Sequence, residues 1–316
     1  MTRAFLLLLS LHLIACGDEN VPADDAAVRT DTEVATDAGV DDAGADAVRS
    51  DAEPIDAGMS DGSLDSAPDA ALTDRCEDAR LCERFDDYAD VTSLEDGQRF
   101  GPWRTAHRTP GSVMDLDDTR SVSGGRSLHV RIDDEARAGG RLFTTGDQPL
   151  FEDAPTQLYG RMMMYVGDNG HSVHWTMFGA SGPALDVPGR RATYLFSSLR
   201  RADANQFSAV NYVNNDPAQD CWNSSDTPIP SGRWMCIEWS ADSVTRQVRM
   251  SMDGSPILAV DETGQGCVGD VPNDSPWFGP TFDQFYVGTW SFHPMVGPLE
   301  VWIDDVIVDT TPVACP

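Results

Sequence analysis

The sequence predicts an all-β domain, and three observations lead to this prediction. Between residues 76 and 316, short stretches of alternating apolar and polar residues are separated by Gly, Pro, Asn and Asp. No long segment repeats its apolar positions with the period of a helix. The candidate strands, about eleven in number, are too many for a small open sheet, so the domain is expected to close as a sandwich or barrel.

The N-terminus predicts export. Met1-Thr2-Arg3 is followed by an apolar run that is too short to span a bilayer and is typical of a signal peptide over residues 1–15. Leu13-Ile14-Ala15-Cys16-Gly17 resembles a bacterial lipobox. The resemblance implies cleavage before Cys16 and attachment of a lipid to its thiol. Because Gly17 rather than an acidic residue follows, we expect the outer membrane or cell surface. An ordinary signal peptide cut nearby is the alternative.

Residues 16–75 form a low-complexity segment of Asp, Ala, Gly, Val, Ser and Thr. The segment contains 17 acidic residues, three arginines and no aromatic residue. It cannot bury enough apolar surface to offset its chain entropy. We therefore expect a disordered tether, extended by self-repulsion, ahead of a folded domain over residues 76–316.

The charge balance limits the possible partners. The chain has 316 residues and a formal net charge of -30, and its 22 basic residues are all arginines. This balance argues against nucleic-acid binding and predicts a well-solvated exterior, and we expect a monomer. It also favours neutral over acidic ligands, although an arginine-lined groove would reverse the field locally.

Besides the cysteine of the lipobox, the domain has an even number of cysteines, which is typical of disulfides in an exported chain. They are Cys76, Cys82, Cys221, Cys236, Cys267 and Cys315. We predict a bond between Cys76 and Cys82, which are close enough to close a short loop, and two bonds among the other four. Zinc binding is the alternative, but there is no CxxC pair and the compartment is oxidising.

Each strand is predicted from the apolar and polar residues, or the turn residues, within its own segment. Residues 127–132 place aliphatic side chains on one face, with His129 and Arg131 on the other. Asp253-Gly254 predicts a tight hairpin turn, since both residues tolerate positive φ angles. The predicted strands are 127–132, 141–144, 158–166, 173–178, 192–197, 206–213, 234–241, 247–252, 257–260, 284–289 and 299–308.

A series of short motifs carries a family resemblance. They are Cys82-Glu83-Arg84-Phe85-Asp86, Gly101-Pro102-Trp103, Ser123-Gly124-Gly125-Arg126-Ser127-Leu128, Tyr159-Gly160-Arg161-Met162, Trp234-Met235-Cys236-Ile237-Glu238-Trp239, Met252-Asp253-Gly254 and Trp302-Ile303-Asp304-Asp305-Val306. Their order and spacing resemble those of concanavalin-A-like jelly rolls, which include legume lectins, laminarinase-type glucanases and polysaccharide lyases. The resemblance implies a sandwich of two antiparallel sheets whose concave groove binds sugars.

The closing strand, 299–308, carries the acidic pair Asp304-Asp305 among apolar residues. Buried carboxylates need basic partners or a cation, and oxygen-rich sites suit calcium. The resemblance implies that Asp86, near the first strand, shares a structural calcium ion with Asp304 or Asp305 on the last strand. Ion pairs with Arg84 or Arg126 are the alternative.

Alternation along three strands predicts the lining of the groove. The predicted ligand-binding residues are Tyr159, Arg161, Tyr165, His174, Gln206 and Tyr212. Packing in the core is the alternative for each aromatic residue.

The sequence lacks the paired glutamates of a retaining glucanase. Val173-His174-Trp175 resembles the Gln-Ile-His strand of alginate lyases, although Val173 replaces the glutamine. A uronate lyase would use Arg161 to neutralise the substrate carboxylate, with His174 and Tyr212 for proton transfer. The lysine-containing lyase pattern Tyr-x-Lys-x-Gly-x-Tyr is unmatched. We therefore favour binding of a polysaccharide or other glycan without cleavage. A lyase and a non-catalytic envelope or adhesion module are the alternatives.

Overall fold

The computed structural model describes residues 76, 78–88, 90–201, 204–214, 219–260, 267–268 and 277–316. The predicted signal peptide, Cys16 and the tether lie outside these residues. No helix in the described part of the chain is both long and apolar enough to cross a membrane.

The described fold consists of strands and one short 3-10 helix at Pro149–Phe151. The strands are β1 (Leu81–Glu83), β2 (Arg99–Phe100), β3 (Trp103–Arg108), β4 (Ser112–Asp117), β5 (Ser127–Ile132), β6 (Gly139–Thr145), β7 (Gln157–His171), β8 (His174–Pro183), β9 (Arg191–Arg201), β10 (Ala204–Asn214), β11 (Gln219–Pro228), β12 (Trp234–Asp242), β13 (Gln247–Met252), β14 (Ser255–Val260), β15 (Cys267–Val268), β16 (Gln284–Ser291) and β17 (Val296–Asp309).

The strands form two sheets in which every pairing is antiparallel. The eight-stranded sheet has the order β14-β13-β12-β7-β17-β5-β4, and β1 also pairs with β17. The nine-stranded sheet has the order β15-β11-β10-β9-β8-β16-β6-β3-β2. Two antiparallel sheets packed face to face confirm the predicted jelly-roll sandwich.

The last strand, β17, lies in the interior of its sheet. It pairs with β7 along one edge and with β5 and then β1 along the other, so backbone groups on both edges have partners. Cys82 of β1 is in register with Ile307 of β17. The backbone N–H of Arg80 donates to the Asp309 carboxylate at 3.1 Å. The first and last strands of the domain are therefore joined.

The core lies between the sheets and takes one face of each strand. The Phe178 ring of β8 stacks on Phe196 of β9 at a centroid distance of 4.5 Å and contacts Trp239 of the opposite sheet at 4.1 Å. In β5, Leu128 is fully buried, whereas His129 lies on the outer face, as the alternation predicts. Hydrophobic burial across the two sheets thus fixes which face of each strand points outward.

The predicted strands match observed ones, but the prediction omits several others, among them β3, β4 and β11. In β4, Met114 and Leu116 are buried, while Asp115 and Asp117 are less buried on the outer face. Two carboxylates in so short a strand weaken its apolar signal. Pairing with β5 along its whole length holds it extended, because tertiary pairing overrides local preference.

Disulfides tie both ends of the domain. Cys76 is bonded to Cys82, as predicted, and Cys236 of β12 is bonded to Cys315 near the C-terminus. Cys221 is also disulfide-bonded, and its register partner on β15 is Cys267. These bonds are typical of an exported protein in an oxidising compartment.

A row of rings crosses the outer face of the eight-stranded sheet. Trp234, Tyr165, Trp302 and His129 are successive cross-strand neighbours. The His129 ring stacks on Trp302 at a centroid distance of 4.6 Å. The Arg120 guanidinium lies 4.4 Å from the Tyr165 centroid and 4.9 Å from that of Trp302. The row is thus covered by a cation from the loop between β4 and β5.

Both ring nitrogens of His129 face a carboxylate. Nδ1 lies 2.8 Å from Asp115 Oδ1, and Nε2 lies 3.1 Å from Glu300 Oε1. Burial disfavours the charged ring, but the hydrogen bonds and charges of the two carboxylates outweigh it and raise the pKa of His129. The imidazolium can donate to both at once and so joins β4, β5 and β17.

We predict that His129 stabilises the domain most at acidic pH. Because its pKa in the folded state is raised, its contribution is fully present below the unfolded pKa of about 6.5 and is lost as pH rises through the folded value. His129→Gln should lower the melting temperature by about 2–4 °C near pH 5.5. Thermal unfolding of both proteins over a pH series checks this. A difference that stays constant or grows towards alkaline pH would contradict it.

Candidate functional site

On the outer face of the nine-stranded sheet, side chains of residues in register on successive strands form two rows that cross the sheet. One contains Arg99, Arg104, Phe143, Tyr286, Gly179, Leu195, Val210 and Trp222. The neighbouring row contains Thr176, Ser197, Ser208 and Ser224. Aromatic and apolar side chains therefore lie beside a line of small hydroxyl side chains. Thr176, Ser197 and Ser208 are at most 1% exposed, so a ligand on this face would contact the partly exposed rings and polar side chains around them.

Near one end of the hydroxyl row, Arg141 of β6 is surrounded by aromatic rings. Its guanidinium carbon lies 4.6 Å from the Tyr286 centroid, 5.3 Å from that of Trp290 and 5.4 Å from that of Phe292. Its Nη2 donates to Thr176 Oγ1 at 2.9 Å. We call these five residues the arginine-aromatic cluster. Cation-π contacts and the hydrogen bond hold the guanidinium in place on this face.

His174, at the start of β8, lies beside the arginine-aromatic cluster. Its ring centroid is 4.9 Å from that of His293 and 6.0 Å from that of Phe292. Burial, followed by the neighbouring charges of His293 and Arg141, lowers the pKa of His174 to about 4. The imidazole is therefore neutral at pH 7, with one nitrogen as donor and the other as acceptor.

Two further predicted residues lie on the same sheet. Gln206 and Tyr212 belong to β10, two strands from β8, and both are partly exposed. Tyr212 is two residues along its strand from Val210, the register partner of Trp222. The structure thus brings His174, Gln206 and Tyr212 to one face. Their role as ligand contacts stays a prediction.

Arg161, Tyr159 and Tyr165 do not belong to this face. All three lie on β7 of the eight-stranded sheet and point to its outer side. Arg161 is only 1% exposed and is in register with Glu238. The C-terminal segment returns to this side, where the Cys315 N–H donates to Glu238 Oε1 at 2.7 Å. The predicted combination of Arg161, His174 and Tyr212 therefore does not form, because two different sheets carry its members.

Arg141 and Tyr286 were not among the residues predicted from the sequence. Alternation in β6 was an available signal, since Leu142 is fully buried while Arg141 and Phe143 point outward. Nothing local indicates that β6 and β16 are neighbours, however, because they are far apart along the chain. Their pairing places Phe143 opposite Tyr286.

A second candidate site is the acidic pair of β17. Asp304 is 0% exposed and Asp305 is 2% exposed. A register shift between Asp304 and Ile307 marks a β-bulge, and Asp305 there has a positive φ of 47°. Burial, then the charge of Asp305 and, less strongly, that of Asp86, raise the pKa of Asp304 to about 7.

Protein groups already contact these carboxylates. The Val122 N–H donates to Asp304 at 2.7 Å. Arg84 Nε lies 3.8 Å from Asp305 Oδ1. This contact is one of the two ion pairs expected as the alternative to calcium. In the described residues, no group of three or more His, Cys, Asp or Glu side chains could hold a metal ion by itself. A calcium ion here would therefore need backbone carbonyl or water oxygens among its ligands.

No protein-family model matches the chain, and no curated protein is similar enough to count as a relative. Many solved structures show similarity to it, among them the following three. Cellulose induced protein, Cip1, is 19% identical over 72% of this chain and 99% of that chain, with a TM-score of 0.48. Alginate lyase vAL-1 from Chlorella virus is 9% identical over 66% and 93%, with a TM-score of 0.43. A glycoside hydrolase family 16 endo-glucanase from Bacteroides ovatus is 9% identical over 68% and 98%, with a TM-score of 0.43.

We predict that Arg141→Gln raises the pKa of His174, because it removes one of the nearby positive charges that disfavour the imidazolium. The rise in the pKa of His174 should be smaller than the total amount by which the protein lowers that pKa, since burial is the larger cause of the lowering. Histidine titration by NMR measures it, with Arg131→Gln on the opposite sheet as the control. A wild-type His174 that titrates at the ordinary value of about 6.5 would contradict the described environment.

Proposed function

We propose that the chain binds a polysaccharide or another glycan across the outer face of the nine-stranded sheet and does not cleave it. The observation that carries the proposal is the arginine-aromatic cluster beside the row of small hydroxyl side chains. Aromatic rings pack against the apolar surface of a sugar, while a guanidinium and a neutral imidazole supply hydrogen bonds.

The binding face is held in place before any ligand arrives. A Cβ added at Gly179 would lie 2.5 Å from the Tyr286 hydroxyl, so the glycine makes room for this ring on the neighbouring strand. Arg141 is fixed by Thr176 as well as by the rings. Preorganised groups lose less conformational freedom on binding, which favours affinity.

We predict that Trp290→Ala weakens glycan binding by roughly tenfold or more, because a large ring at the ligand face is removed. A glycan array identifies ligands of the exported domain, and calorimetry then compares the proteins. Trp234→Ala is the matched control, since this partly buried tryptophan lies on the outer face of the other sheet. Equal losses in both variants would place the binding site elsewhere, and absence of binding to every neutral and acidic glycan would overturn the proposed function.

Eliminative cleavage of a uronate is the alternative, and one observation favours it over hydrolysis. The Arg141 cation and the neutral imidazole of His174 lie beside one another, which suits neutralisation of a carboxylate and removal of a proton. The same glycan incubations are therefore followed by ultraviolet absorbance. Growth of an unsaturated product that His174→Ala abolishes would establish a lyase and overturn binding without cleavage.

We propose that the domain is displayed at the cell surface by a lipid on Cys16 and by the tether of residues 16–75. The disulfides of the domain support an exported location. A charged, extended tether would hold the binding face away from the membrane, where it can reach a polymer.

We also propose that Asp86, Asp304 and Asp305 hold a structural calcium ion. The supporting observation is the buried carboxylate pair, since burial of two adjacent acids is costly without a compensating cation. Carboxylate oxygens are the hard donors that calcium prefers. A bound ion would neutralise this charge and fasten the first and last strands.

We predict that a chelator lowers the melting temperature by about 4 °C or more and that added calcium restores it, because ligands of the folded state stabilise it. Thermal unfolding with EDTA, calcium or magnesium measures the effect. Asp304→Asn should abolish the response, whereas Asp133→Asn, an exposed acid just after β5, should retain it. No shift on chelation would contradict calcium binding and favour compensation by the ion pair of Arg84 and Asp305.

A further inference from the structure

The charges of the two sheets are segregated. The strands of the nine-stranded sheet contain Arg99, Arg104, Arg108, Arg141, Arg191, Arg200 and Arg201, with Asp220 and Asp226 on β11 as their acids. The strands of the eight-stranded sheet contain Glu83, Asp115, Asp117, Asp168, Glu238, Asp242, Glu300, Asp304, Asp305 and Asp309, with Arg131, Arg161 and Arg249 as their arginines. A chain with a net charge of -30 thus places a basic sheet beneath the proposed binding face.

Two of these arginines lie next to each other at one end of the face. Arg99 of β2 and Arg104 of β3 are register partners, and Arg104 is the register partner of Phe143. The neighbouring residues Trp103 and Phe100 are buried, so Arg99 and Arg104 point outward by alternation. Within the described part of the chain, neither guanidinium takes part in an ion pair or hydrogen bond.

A small cleft of about 110 Å³ adjoins this pair. Its lining includes Arg99, Arg104, Phe143 and Gln148, with Asp147 as its acidic residue. Two like charges in adjacent strands repel each other, and a pair of this kind is destabilising unless an anion lies between them. Phe143, which is partly exposed, continues the row from Arg104, whereas the next ring, Tyr286, is only 4% exposed. The stacking surface beside the anionic site is therefore that of Phe143.

We propose that the glycan bound by this face is acidic and that Arg99 and Arg104 form a subsite for its carboxylate or sulfate groups. The inference rests on the proposed function and names its ligand class. The polymer packs on Phe143, with an anionic group on the two guanidiniums at one end and a second one near Arg141. Arginine presents planar pairs of donors that match either oxyanion. The overall negative charge of the chain disfavours acidic ligands at long range, but the nearest charges within a Debye length set the field at the two arginines.

The test compares three polymers of matched length with the exported chain from Cys16 onward: a polyuronate, dextran sulfate and dextran. Calorimetry at low and moderate salt should show binding of an acidic polymer at least roughly tenfold tighter than binding of dextran, with the difference reduced by salt. The two acidic polymers distinguish a preference for carboxylate from one for sulfate. The double variant Arg99→Gln and Arg104→Gln should bind the acidic polymer roughly tenfold more weakly and should lose part of the salt dependence.

Arg131→Gln is the matched control, because its side chain is 43% exposed on the opposite sheet. If dextran is bound as tightly as both acidic polymers, the acidic class is refuted while glycan binding stands. If the double variant binds like the control, the subsite is refuted. Binding of none of the three polymers, together with an empty glycan array, would instead overturn the proposed function itself. Unchanged melting temperatures of the variants show that a loss of affinity is not a loss of fold.

Discussion

The fold depends on the position of its last strand. β17 lies inside the eight-stranded sheet, with β7 on one side and β5 and β1 on the other. Each of these neighbours would have an unpaired edge without it, and unpaired backbone groups in a sheet are costly. The same strand buries Asp304 and Asp305 beside the loop that leads into β5. Pairing of β17 therefore closes the domain and buries two acidic side chains at the same time. For this reason, a cation bound to these side chains would change the free energy of unfolding of the whole sandwich.

The two outer faces differ in the contacts that their charged groups make. On the eight-stranded sheet, Arg120 covers the ring row, His129 joins two carboxylates, and the disulfide of Cys315 ties the C-terminal segment to the sheet. These contacts are made between groups of the protein itself. On the nine-stranded sheet, the arginines lie among rings and hydroxyls, and the strands provide few acids to pair with them. Among the described residues, Arg99 and Arg104 form no ion pair, so this end of the face is suited to an external ligand.

The sequence predicted the structure correctly where the pattern lies within a few neighbouring residues. The alternation of residues 127–132 and the Asp-Gly turn gave β5 and the hairpin between β13 and β14 because each pattern is contained within a few residues. Cys76 and Cys82 were paired correctly for the same reason. The prediction for Arg161 failed because alternation shows only which side chains share a face of one strand. It does not show to which of two sheets that strand belongs.

The sequence by itself determined the all-β class, the exported and acidic character of the chain, the strand patterns and the presence of a buried acidic pair. Composition and short-range periodicity encode all of these. Only the tertiary structure decided that Arg141, Thr176 and Tyr286 meet, and that Arg99 and Arg104 lie at the end of the same face. Those contacts arise from pairing between strands that are distant along the chain, and the register of such pairs is set by the burial of both sheets against a common core.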